Sequence, residues 1–275
     1  MTVHLPEDLA RELEGIAAAQ HKTAEEVALD RLRLGGRPPI IPGCDQPGNA
    51  VVLWRYMNLE KFLSVLRDEE LYFSRLIQFE DSWEGINPSA LGLYPHLERE
   101  DLKRLYLQSG RAAAVSCWHE GCDESVAMWR LYTSGAGVAI KTTTRALMRS
   151  LQANGFRLRV ARVRYVDDSK SQSWCPGEPH GLEPVYCKRS VYRHEREVRA
   201  TLLPDGFPDD PQVERDPCCG FPISVELTTL INGVVVSEQS LVRIVEEALN
   251  RAGVSIRARL SAIYRGPRDL LLDQE

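Results

Sequence analysis

The stretch from Gly35-Gly36-Arg37-Pro38-Pro39 through Pro47-Gly48-Asn49 constrains this chain more than any other feature. Proline cannot donate a backbone hydrogen bond and glycine raises the entropic cost of ordering, so neither a helix nor a central strand can run through it. It predicts a linker over residues 35–50, with a module at 1–34 and a main domain over 51–275. The second part, about 220 residues, is long enough to bury one sizeable core. Hydrophobic content of 43% and charged content of 27% supply an ordinary globular balance.

Within the first segment, Thr2-Val3-His4-Leu5 alternates polar and apolar residues as a short strand does. Pro6, Glu7 and Asp8 then suit the first turn of a helix, where proline loses no bond and carboxylates meet the positive dipole end. Leu9, Leu13 and Ile16 follow at helical spacing. Thr23 with Glu26 forms a capping box for a second helix carrying Val27, Ala28 and Leu32. Strand, helix, capped turn and helix in this order resemble the ribbon-helix-helix family of small dimeric regulators and antitoxins. The resemblance implies a homodimer through the N-terminal strand, with Thr2 and His4 as DNA-facing positions. The module carries four basic and seven acidic residues, a balance that works against phosphate binding. Dimerisation or docking without DNA is the alternative expectation.

From Val51 the pattern changes. Val51-Val52-Leu53-Trp54-Arg55-Tyr56 predicts a strand, Asn58 a cap for the helix holding Leu59, Phe62, Leu63 and Leu66, and Leu71-Tyr72-Phe73-Ser74 a second strand. Helices are expected at 98–109, 124–132, 144–153 and 240–251. Further strands are expected at 112–117, 138–140, 157–166, 193–203, 234–236 and 254–264. Residues 167–184 and 204–222 read as irregular. Strands and helices mix without a βαβ rhythm, which predicts an α+β fold with a mixed or antiparallel sheet and flanking helices.

The formal charge of −5 argues against sequence-independent nucleic-acid binding by the whole chain. No apolar run reaches the roughly 18 residues of a membrane span, and the N-terminus lacks a signal-peptide pattern. Seven irregularly spaced cysteines predict reduced thiols and a cytoplasmic protein. Cys117, His119 and Cys122 lie close together, but without a CxxC pair incidental thiols are expected there, and no metal.

Five segments of the main domain resemble the bacterial family known as domain of unknown function 2971. They are Leu53-Trp54-Arg55-Tyr56, Leu71-Tyr72-Phe73-Ser74, Val115-Ser116-Cys117-Trp118, Met128-Trp129-Arg130-Leu131-Tyr132 with Gly135-Ala136-Gly137-Val138-Ala139-Ile140, and Tyr192-Arg193-His194-Glu195-Arg196-Glu197-Val198-Arg199. One departure is Glu80-Asp81-Ser82-Trp83-Glu84, where that family carries an Asn-Asp-Pro-Phe-Glu-like turn.

Arginine on the first strand, a strand serine (Ser74 or Ser116) and a late Glu195-x-Glu197 also resemble the ADP-ribosyltransferase superfamily. The resemblance implies NAD as substrate, a macromolecular acceptor, and a toxin or phage-defence role beside an antitoxin-like head. Arg55 suits a diphosphate because its planar guanidinium makes paired hydrogen bonds. A fixed Glu197 carboxylate suits the positive charge that develops on ribose as the nicotinamide bond breaks. Glu195 suits deprotonation of the acceptor. Tyr56, Tyr72 and Phe73 suit stacking on a base or the nicotinamide ring. Period-two alternation over Arg193–Arg199 predicts both carboxylates on one strand face with the two arginines. The alternative is a regulator that binds DNA or a partner through Thr2 and His4, with a ligand-sensing main domain.

Overall fold

The computed structural model describes residues 45–81, 83–85, 113–133, 135–152, 156–167, 183–204 and 220–264. The chain divides into two units, Met1–Ile41 and Pro42–Glu275, and every described residue lies in the second. The expected strand and helices of residues 1–34, with Thr2 and His4, and the helix at 98–109 fall outside the described residues.

The described domain is α+β. Its strands are β1 (Val52–Asn58), β2 (Glu70–Arg75), β3 (Ala114–Glu120), β4 (Gly137–Thr143), β5 (Phe156–Arg162), β6 (Arg164–Val166), β7 (Cys187–Arg189), β8 (Glu197–Pro204), β9 (Phe221–Ser224), β10 (Gly233–Val236) and β11 (Ala258–Leu260). Its helices are α1 (Leu59–Asp68), α2 (Val126–Tyr132), α3 (Thr144–Ser150), α4 (Leu227–Leu230) and α5 (Ser240–Arg251). Nine strands share one sheet in the order β11-β10-β4-β1-β3-β2-β9, with β8 joining β3 and β5 joining β8. All its pairings are antiparallel except β10 with β11.

Apolar runs in β1 and β4 are continuous because helices cover both faces of the sheet. On one face Leu53, Met57, Trp118, Val138, Ile140, Val198 and Ala200 pack with Phe62 and Leu66 of α1, Leu147 of α3, and Leu241, Val245 and Leu249 of α5. On the other, Trp54, Tyr56, Ala139 and Val235 pack against Met128 and Trp129 of α2. Side-chain caps set three helix starts: Asn58 accepts from the Lys61 amide, Ser125 from Met128 and Thr143 from Ala146. Helix α2 therefore begins at Val126 and not at Glu124, whose carboxylate is committed to the Trp129 indole, Ser261 and the Ala262 amide.

Several expectations are corrected by pairing partners distant in sequence. The strand expected at 157–166 breaks at Val163, whose amide bonds to the Glu197 carbonyl. Beyond the break β6 leaves the main sheet and runs parallel to β7. Strand β9 forms at the end of a stretch read as irregular because β2 offers an antiparallel edge. The strand expected to open at Arg193 begins at Glu197, after a 3-10 turn over Ser190–Glu195 and a left-handed Arg196 at φ 42. Cys117 and Cys122 are free thiols. Cys187 is disulfide-bonded, which corrects the expectation of reduced thiols at that residue. Tertiary contact, and not sequence spacing, decides which sulfurs meet. Among the described residues no helix is long and apolar enough to cross a membrane.

Candidate active site in a split sheet

Strand β3 positions the site. One of its edges pairs with β8 along Ala114–His119. Its other edge is shared: β1 pairs only at His119 and Glu120, and β2 only at Ala114 and Val115. Between these contacts, at Ser116–Trp118, the two neighbours of β3 diverge and the sheet splits.

Arg55 occupies the split. It alternates with Trp54, the partner of His119, and so shares the face of Ser116 and Trp118. Its guanidinium donates to Ser116 Oγ and to the Tyr72 carbonyl at 3.3 Å, and lies 5.6 Å from the Trp118 ring centroid. Trp118 Nε1 donates to the same Ser116 oxygen at 3.0 Å. All three partners are neutral. Among the described residues no carboxylate pairs with Arg55, and burial pulls its pKa downward. A desolvated guanidinium without a counter-ion is costly unless an anion arrives with a ligand.

The opposite face of β3 carries a dense ionic network. Glu197 pairs with His119 and Arg199 with Cys117 across the β3–β8 ladder. Arg199 Nε donates to Glu197 Oε1 at 2.7 Å, and its Nη2 reaches Glu197 Oε2 at 3.2 Å and Glu84 Oε2 at 2.6 Å. Its Nη1 donates to the Val185 carbonyl at 2.5 Å. Lys188 of β7 stands among three carboxylates, 2.6 Å from Glu195, 3.1 Å from Glu84 and 3.3 Å from Glu197. Tyr132, half-exposed on α2, donates to Glu195 Oε1 at 3.3 Å. The Tyr165 hydroxyl accepts from the Glu197 amide at 2.7 Å. Arg189 forms a paired contact with Asp81 at 3.1 Å nearby.

Electrostatics separates the two nearest carboxylates. Burial pushes Glu197 up, but Arg199 and Lys188 outweigh it and hold its pKa near about 2. Burial also pushes Glu195 up, and there Lys188 offsets it only in part while Glu197 and Glu84 add to it, so Glu195 titrates above its ordinary range. The two neighbouring carboxylates thus differ, one held as an anion and the other raised in pKa. Cys117 is held as a thiol, its pKa raised well above normal by burial and then by Glu197, to which it donates. That opposes a thiolate nucleophile. His119 Nδ1 meets the Glu195 carbonyl at 2.6 Å.

The residues expected at the site are thus distributed. Arg55, Ser116 and the Tyr72 backbone meet in the split; Glu195 and Glu197 meet through Lys188 on the other face. Glu195 reaches Glu197 from a 3-10 turn, which corrects the expectation of one strand face shared with Arg193, an exposed residue. A left-handed Arg196 stands between them. Ser74 lies on the network's side, opposite Val115. Tyr56 is buried edge-on to Trp129, 5.1 Å between centroids, and its hydroxyl accepts from the Ser125 amide. The Tyr72 ring is exposed, its hydroxyl accepting from the Gly220 amide at 2.7 Å and from Gln78 at 3.4 Å. Phe73 is fully buried in the core. Two charged residues went unread in the sequence, Lys188 and Glu84. No local pattern marks either, although Glu84 lies in the run that departs from the resembled family. Among the described residues no group of His, Cys, Asp and Glu side chains is arranged to hold a metal.

Fold and site together define an α+β domain with a split sheet, an arginine in the split that meets no carboxylate among the described residues, and a paired-carboxylate network behind it. No family model matches the chain and no curated protein matches it, so neither comparison supports the expected likeness to domain of unknown function 2971. Solved structures similar to it include the following two. One is Thermus sp. 2.9 DarT in complex with carba-NAD+, at 10% identity and TM-score 0.33, with 78% of this chain and 97% of that chain covered. The other is Thermus sp. 2.9 DarT in complex with ADP-ribosylated ssDNA, at 11% identity and TM-score 0.33, covering 79% and 96%.

Proposed function

We propose that the main domain is an NAD-dependent ADP-ribosyltransferase acting on a macromolecule. The observation that carries this is Arg55, a guanidinium set in the split among neutral partners, without an anion of its own among the described residues. A diphosphate supplies that anion and accepts paired hydrogen bonds. Ser116 and the Tyr72 carbonyl fix the arginine's orientation before substrate arrives, which lowers the cost of binding.

In this reading NAD passes through the split, its diphosphate at Arg55 and its nicotinamide-bearing ribose on the far side of β3. There Glu197, kept ionised by Arg199, meets the positive charge that grows on that ribose. The glycosidic C–N bond breaks with its electron pair passing to the ring nitrogen, which leaves neutral nicotinamide. The acceptor's lone pair forms the new bond to the ribose carbon, and its proton passes to Glu195 and on to water. The acceptor is a nucleic-acid or protein side group. The resemblance of residues 1–34 to a family of dimeric antitoxins suits such an enzyme to a self-regulated toxin or defence role. The regulator reading turns on Thr2 and His4, which lie outside the described residues.

The test is NAD binding and nicotinamide release by wild-type protein, Arg55→Ala and Glu197→Gln, with water, single-stranded DNA and protein as acceptors. Arg55→Ala is expected to weaken NAD binding by about 10- to 100-fold, the range for one charged hydrogen-bonding partner. Glu197→Gln is expected to keep binding and lose turnover by 100-fold or more, on the order of one electrostatic catalytic group. Folded wild-type protein that neither binds nor cleaves NAD with any of these acceptors overturns the reading.

A further inference from the structure

We infer that Lys188 is a positioning residue of this site: its ammonium joins Glu195 to Glu197 and Glu84, and it keeps Glu195 ionised to receive the acceptor's proton. The inference rests on the transferase reading for the identity of the reaction, and on geometry for the hold on Glu195. Among the described residues Arg199 is the other cation of the network, and its donors end on Glu197, Glu84 and the Val185 carbonyl. None reaches Glu195. Lys188, at 2.6 Å, is therefore the cation that Glu195 touches among the described residues.

The groups facing Glu195 come from every side. Lys188 approaches from β7, Tyr132 from α2, Glu197 and Arg199 from β8, and Glu84 from the segment preceding Gly85. Tyr165 of β6 senses the same charge, and His119 of β3 bonds the Glu195 backbone. Two of these neighbours are carboxylates, both committed to Arg199. Without Lys188, Glu195 would face two carboxylates that share the single positive charge of Arg199, in a desolvated space with one neutral hydroxyl as donor, which favours the protonated form. A protonated Glu195 cannot take the acceptor's proton. Lys188 itself stays charged, because the pull of Glu197 and Glu84 outweighs burial.

A lysine bridging three carboxylates is also a structural tie, so the test needs a readout that structure alone does not move. The pH dependence of nicotinamide release, with 13C NMR titration of the Glu195 carboxyl, is to be measured in wild-type protein, Lys188→Met and Lys188→Arg. In Lys188→Met the acid limb of the profile and the Glu195 titration are expected to rise together, by about one to two pH units. Activity lost at neutral pH then returns in part at alkaline pH. Lys188→Arg, which keeps the charge, is expected to stay within about half a unit of wild type. It keeps the proposal testable if Lys188→Met fails to fold, since a displaced Glu195 titration in folded Lys188→Arg would overturn it. A uniform loss across pH in Lys188→Met, with Glu195 titrating as in wild type, overturns it as well. Absent NAD turnover in folded wild-type protein overturns the transferase reading instead, and the Glu195 titration keeps that outcome distinct from a failure of Lys188 to hold the carboxylate.

Discussion

Burial presses on Glu195 and Glu197 alike, but Arg199 grips Glu197 along both oxygens and leaves Glu195 to Lys188. The folded pKa of Glu197, about 2 against an ordinary 4.5, is depressed. Its stabilising contribution is therefore complete above about 4.5 and is lost as pH falls through about 2. Urea midpoints of wild-type protein and Glu197→Gln are expected to differ at neutral pH and to converge in that acid window. At neutral pH the substitution strips Arg199 of its bidentate partner and is expected to cost about 3–5 kcal/mol. On the other face, Ser116→Ala removes the oxygen that accepts from both Arg55 and Trp118 Nε1. It is expected to destabilise by about 1–3 kcal/mol in denaturant titration, as buried donors left unmade do. None of this is local. The spacing of Glu195 and Glu197 suggests a shared strand face, whereas their meeting depends on a turn at Arg196 and on a lysine seven positions earlier.

Among the elements, β1 and α1 illustrate how much a short segment decides by itself. Asn58 ends the strand and caps the helix, and the left-handed Glu69 at φ 53 stops that helix before β2. Asn58→Ala is expected to cost about 1 kcal/mol in thermal or urea unfolding. Strand β9 depends instead on its neighbour. A Cβ at Gly220 would lie 2.1 Å from the Phe73 carbonyl and 2.7 Å from the Tyr72 ring, so backbone has to move to admit one. Gly220→Ala is expected to loosen β9 from β2, seen as faster amide exchange over Phe221–Ser224, while β1–β4 pairing holds. Both β6 and β7 are three residues long, too short for periodicity to reveal, and each is extended because the other lies beside it.

For the main domain as a whole, the decisive property is that the sheet divides at the middle of β3, beside Arg55, where a ligand with an anionic group is proposed to bind. Binding there stabilises the folded state by mass action, about 2.7 kcal/mol at a hundredfold excess over Kd. For a domain of this size that amounts to a rise in Tm of several degrees, at roughly 2–4 °C per kcal/mol. Differential scanning fluorimetry with saturating NAD is expected to show such a rise in wild-type protein and to lose it in Arg55→Ala.

The sequence by itself determined what short-range chemistry controls. The α+β class, the caps at Asn58, the strand carrying Arg55 and the helix at Ser240–Arg251 all follow from alternation, helical spacing and capping within a few residues. Only the tertiary structure decided which charges meet. Arg55 and Glu197 are separated by β3, and Lys188 and Glu84 enter the carboxylate network from positions that no spacing rule connects. Ion-pair partners are chosen by strand order and by burial, where an unmatched charge costs several kcal/mol. Both are properties of the assembled sheet and not of any segment within it.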